Sequence, residues 1–139
     1  MKLLAAFLAS LVLLVALSAG LTWIISRAIE VHYPPRGCFV PVAGGRLHVI
    51  EAGPTEGSAL GTVVLLHGAS GSAAEPFSAL GGRLSERYRV LAVDRPGHGW
   101  SDRIDGAAAA SPVRQAALVA AALRALGVSR AVVVAHSPG

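Results

Sequence analysis

Three short loops gather residues able to do chemistry. They are His67-Gly-Ala-Ser-Gly71, Asp94-Arg-Pro-Gly-His-Gly-Trp-Ser101 and Ala135-His-Ser-Pro-Gly139. Between them they offer serines, histidines and one aspartate, the side chains used for nucleophilic attack and proton transfer. Any one of them alone reads as ordinary glycine-rich turn chemistry. The informative feature is what precedes each. Thr62-Val-Val-Leu-Leu66, Arg89-Val-Leu-Ala-Val93 and Ala131-Val-Val-Val-Ala135 are continuous apolar runs. Such runs mark strands buried on both faces.

The segments between them must bring those loops together. The sequence predicts strands near 39–42, 46–51, 62–67, 89–94 and 131–136, the last three parallel. Phe39–Val42 and Arg46–Glu51 alternate about Ala43-Gly-Gly45 and read as a hairpin. A helix is expected over 76–88, with Phe77, Leu80, Leu84 and Tyr88 along one side. Gly81 and Gly82 weaken it by about 1 kcal/mol each relative to alanine. A second is expected over 112–126, with Ser111 as N-cap, Pro112 in the first turn and Gly127 just past the end. Ala107–Ala110 is read as loop or as a lead into that helix. The alternation of strand and helix predicts an α/β sheet. In such a sheet ligands gather outside the carboxyl ends of the strands, so the three loops should share one site.

In this order and spacing the loops resemble the α/β-hydrolase family, in its lipase-, esterase- and epoxide-hydrolase-like branch. The resemblance runs from about Phe39 to Gly139. It rests on His67-Gly68, on Asp94…Gly97-x-Gly99-x-Ser101, and on Ala135-His136-Ser137-Pro138-Gly139 as a variant of the G-x-S-x-G nucleophile elbow. It implies an N-terminal half of a hydrolase sheet, a leading hairpin followed by parallel strands and helices. Ser137 is then the nucleophile, on a strained turn that pushes its hydroxyl into the site. Ala69 supplies one oxyanion N–H, and the residue after the serine supplies the other. Gly68, Asp94, Gly97, Gly99, His136 and Gly139 support the loops. His67 is read as bonding its own loop, with a catalytic role as the alternative. No cofactor is implied.

Two departures stand out. Pro138 follows the serine and has no N–H to donate. It also biases Ser137 toward extended backbone, away from the elbow conformation. Secondly, family order places the acid and then the histidine after the serine. Asp94, Asp102, His98 and His136 all precede it. The sequence therefore reads as the front half of a hydrolase, either a fragment or a reading frame ended early, and the 139 residues alone are expected to be inactive.

The chain of 139 residues is 53% hydrophobic and 14% charged, which excludes disorder and collagen. Its net charge of +4 is scattered among acids, with 5% aromatics, so no nucleic-acid footprint is expected. A single cysteine, Cys38, and no Cys/His cluster of zinc spacing exclude a disulfide scaffold and a zinc ribbon. Leu3–Ile25 is a 23-residue run without charge. As a helix it spans roughly 34 Å against a hydrocarbon core of about 30 Å. Residues 1–27 are read as a membrane anchor touching the bilayer through 3–25, residues 28–38 as a linker, and 39–139 as the partial hydrolase domain. A cleaved secretory signal competes with this, but its apolar core is typically about 7–15 residues. Flanking charges (Lys2 on one side, Arg27 and Arg36 on the other) leave the orientation open.

The leading expectation is a membrane-anchored serine hydrolase acting on a small ester-like substrate. The alternative is a non-catalytic binding module or inactive remnant of the same fold. A dinucleotide site through Gly97-x-Gly99 fails because Asp102 falls where the third glycine belongs.

Overall fold

A computed structural model describes residues 2–54 and 59–137. Pro138 and Gly139 lie outside them. The chain divides into two units, Met1–Pro34 and Pro35–Gly139.

The first unit is one helix, α1 (Lys2–His32), of 31 residues and mean hydropathy 2.5. By length and composition it can cross a membrane, a test that a signal sequence also passes. Its polar side chains bond back onto the helix: Ser10 to the Ala6 carbonyl at 3.0 Å, Ser18 to Val15 at 2.9 Å and Thr22 to Ser18 at 2.8 Å. This local satisfaction suits a segment without water or neighbours. The helix runs past the expected linker start at residue 28. Arg27 and Glu30 form an i,i+3 pair at 2.9 Å, and Pro34 and Pro35 follow the last turn.

The second unit is a five-stranded sheet. Its strands are β1 (Cys38–Val42), β2 (Gly45–Ala52), β3 (Thr62–Leu66), β4 (Arg89–Val93) and β5 (Val132–Ala135), in the order β1-β2-β4-β3-β5. β1 and β2 form an antiparallel hairpin, and β2 pairs antiparallel with β4. β3 pairs parallel with β4 and with β5, as expected. Side chains of β3 and β4 alternate between two cores. Val64, Leu91 and Val93 join Leu118, Val119 and Ala122 of helix α3 (Pro112–Ala125) on one face. Val63, Leu65, Val90 and Ala92 meet Phe77, Leu84 and Tyr88 on the other. Each fully buried leucine, such as Leu65 or Leu91, contributes about 1.5–3 kcal/mol.

Three local expectations are corrected, and a fourth, the lead into α3, is given its form. The helix expected over 76–88 occupies 74–84, called α2, and contains a π-turn at Phe77–Gly81. The wider turn rotates the following residues, so Leu80 faces solvent while the Phe77 ring lies against buried Gly81. Ser111 sits at the N-cap with extended backbone, but its side chain makes no cap bond. Ala107–Ala110 belongs to a 3₁₀ turn, Gly106–Ala110. The apolar run of β5 is not buried: it is an edge strand with β3 on one side, and Val132 and Val133 are 65% and 55% exposed.

Candidate active site

Register fixes the site. Leu66 pairs with Val93 and with Ala135, so the three parallel strands end level. The next residues, His67, Asp94 and His136, therefore leave the sheet along one edge, with the β3 loop in the middle.

Asp94 organises two loops at once. It is 1% exposed. One carboxylate oxygen accepts the Ala73 N–H at 2.6 Å. The other accepts from His48 Nδ1 at 2.7 Å and from the Trp100 N–H at 3.0 Å. His48 Nε2 in turn reaches the Arg36 carbonyl at 2.7 Å. The Ser101 hydroxyl donates to the Asp94 carbonyl at 2.7 Å and accepts the His48 N–H at 2.9 Å. Asp102 ties the far end of this loop to β2, accepting the Arg46 N–H at 2.9 Å. The Arg46 guanidinium beside it holds the Asp102 carboxyl below the usual range. Gly99 has φ 50°, and a side chain there would collide with the Asp94 carboxylate. Only glycine satisfies both demands.

His67 is buried, and both ring nitrogens are engaged. Nε2 accepts the Arg95 N–H at 3.0 Å, so Nδ1 carries the proton and donates to the Gly68 carbonyl at 2.7 Å. Arg95 also donates to that carbonyl, at 3.0 Å. Burial holds the His67 pKa below its ordinary value, and the nearby Arg95 charge acts the same way. The folded state therefore binds fewer protons than the unfolded one near pH 6. Stability is present above about pH 6.5 and falls as pH drops below it. Urea titrations at pH 7.5 and 5.5 will show this loss. His67→Asn keeps a donor for Gly68 and cannot titrate, so its loss on acidification will be smaller.

Ser137 has φ 56°, in the left-handed region that a serine seldom occupies. The extended backbone expected of a residue before proline is not what it adopts. The His136 N–H still bonds the Leu66 carbonyl at 3.2 Å, so the chain turns immediately after the β-ladder. A side chain at Gly68 would meet the His136 ring at 3.3 Å and the Ser137 Cβ at 3.4 Å. Ser137, His136, Gly68 and Ala69 line one cavity of about 280 Å³, with Ser70, Gly71 and Glu75. Among the described residues nothing accepts from the Ala69 N–H, while its carbonyl takes His98 Nε2 at 3.0 Å. Gly97, φ 76°, turns the β4 loop, and its N–H bonds the Asp102 carbonyl at 3.0 Å. Among the described residues no histidine bonds the Ser137 hydroxyl, and no three His, Cys, Asp or Glu converge as a metal site.

The structure adds three residues to those expected. His48 lies among apolar neighbours on a strand, and only its pairing with Asp94 reveals its place. Arg95 follows Asp94 without a motif of its own. Glu75 reaches the cavity because α2 begins over Gly71, which no spacing announces.

Residues 61–139 match the family model described as alpha/beta hydrolase fold, and the chain belongs to that family. Solved structures agree. An alpha/beta hydrolase fold protein from Burkholderia ambifaria is 29% identical, with TM-score 0.62, over 73% of this chain and 35% of that one. The N-acyl homoserine lactonase AidH, solved with N-butanoyl homoserine, is 31% identical, with TM-score 0.64, over 73% and 36%. Epoxide hydrolase A from Mycobacterium thermoresistibile is 28% identical, with TM-score 0.64, over 76% and 32%. The chain thus spans about a third of the length of each. A comparison with curated proteins gave no match.

Proposed function

We propose that this chain carries the nucleophile and oxyanion loops of a membrane-anchored serine hydrolase that cleaves an ester or related acyl bond. The observation that carries the reading is Ser137: a non-glycine residue at φ 56°, at the carboxyl end of a parallel strand, packed on the loop after the neighbouring strand. A strained residue at such a point is a mark of a working site. In the proposed reaction the Ser137 hydroxyl attacks the acyl carbon and its proton passes to a histidine. The carbonyl oxygen becomes an oxyanion held by the Ala69 N–H. The alcohol leaves with the proton, and water then releases the acid from the serine. The acid and histidine would come from residues C-terminal to Gly139. A serine rather than a carboxylate at the elbow favours acyl transfer over epoxide or haloalkane opening. Hydrolysis of p-nitrophenyl esters by a polypeptide extended with those partners tests the reading. Turnover should fall to background in Ser137→Ala, and equal rates in the two would overturn it.

The anchor rests on α1. Its 31 residues cover roughly 46 Å, enough for the hydrocarbon core and the interfaces beyond it. Trp23 and Arg27 stand near its end, with the guanidinium 5.9 Å from the indole centroid, a combination suited to the headgroup level. Full-length protein is expected to stay in membranes through high-salt and carbonate washes. A soluble product beginning near Ala19 or Gly20 would assign α1 to a signal peptide instead.

Pro138 favours a second reading, a binding module of the same fold, because it denies the site one of two oxyanion donors.

A further inference from the structure

The cavity beside Ser137 has one carboxylate on its wall, Glu75. Glu75 belongs to the first turn of α2, and its side chain lies over Gly71, where an added Cβ would strike Oε2. The bare glycine is what lets the carboxylate fold inward over the loop that carries Ala69. Glu75 makes no ion pair or side-chain hydrogen bond among the described residues. The remaining lining groups are backbone, alanine, two serines and the His136 ring. Among the described residues no lysine or arginine lines the cavity, and the Arg95 guanidinium, 8% exposed, is engaged by the Gly68 carbonyl at 3.0 Å. A substrate seated with its acyl carbon at Ser137 therefore meets a negative wall.

We propose that Glu75 is a specificity-determining residue, selecting ester substrates that carry an ammonium group near the reacting bond and disfavouring those that carry a carboxylate. The proposal rests on the ester-cleaving reading of the same cavity. Its size follows from Coulomb's law. At about 5 Å in a water-like dielectric a unit charge pair gives roughly a 3–5-fold change in affinity, and salt reduces it.

The test uses the full chain in uncharged detergent micelles. Amide shifts of Gly68 and Ala69 are followed while three short esters are titrated: a choline ester, its neutral carbon isostere 3,3-dimethylbutyl ester, and a hemisuccinate. The choline ester should bind roughly 3–5-fold more tightly than the isostere, with the hemisuccinate weakest. Glu75→Gln should erase the preference, and Glu75→Asp should keep part of it. Because Glu75 is solvent-exposed, neither change should disturb the fold, which the unperturbed remainder of the spectrum would verify. If the isostere shifts these amides and the preference is absent, or survives in Glu75→Gln, the role of Glu75 is overturned while the ester site stands. If no ester shifts them, the ester site itself falls, and this proposal with it.

Discussion

Replacing Asp94 with alanine is expected to cost residues 35–139 about 3–5 kcal/mol of stability. The carboxylate is the common acceptor for the Ala73 N–H, the His48 ring and the Trp100 N–H, at 2.6, 2.7 and 3.0 Å. Removing it strands all three donors, in a place where each unmade bond costs about 1–3 kcal/mol. A domain of this size holds only about 5–15 kcal/mol in total. Urea titration followed by far-UV circular dichroism will show the midpoint collapse, or no folded baseline at all. Asp94→Asn keeps the shape and an acceptor oxygen, so it should lose less. A shift under about 1 kcal/mol for Asp94→Ala would mean that the loops are held by something else.

The second large effect concerns turnover. In a polypeptide that supplies the acid and the histidine, changing Pro138 to a residue with an N–H should raise ester hydrolysis by roughly 10²-fold or more. The reason is covalent: proline offers no hydrogen to the oxyanion, and loss of one such donor elsewhere costs on the order of 2.7–4 kcal/mol. The Ala69 N–H would otherwise act alone. The same change in the 139-residue chain should leave hydrolysis at background, because among the described residues no histidine bonds the Ser137 hydroxyl. Equal turnover by the proline form and its replacement would show that the second donor comes from another group.

Much of the architecture was legible because strands announce themselves through composition. Each of the five strands begins and ends within one residue of its expected limits. Long apolar runs, hairpin glycines and the Pro112–Gly127 bracket depend on local rules alone. What escaped depends on who sits next to whom. Val132–Val134 looks like an interior strand, yet its exposure is decided by sheet order. The π-turn in α2 sets the Phe77 ring against Gly81, four residues on, a change of winding that 3.6-residue periodicity does not encode. The three loops and their convergence were readable, since parallel strands of similar length end together. His48 and Glu75 were not. A histidine flanked by Leu47 and Val49 shows its purpose only when Asp94 arrives from 46 residues away. Glu75 shows its own only when a helix start lies across a glycine loop.

The open side of β5 has a consequence for the life of the chain outside any assay. Among the described residues no strand pairs with the side of β5 away from β3, and its three consecutive valines and that row of peptide groups make a template for another strand, of this polypeptide or of a second copy. In dilute solution encounters between such edges are rare. A helix like α1, held in a bilayer, would confine the copies to a plane and raise their local concentration without any new contact. Crowding of that kind turns a tolerable edge into a seed for sheet growth. Expression level would then decide whether the molecule stays separate or clumps.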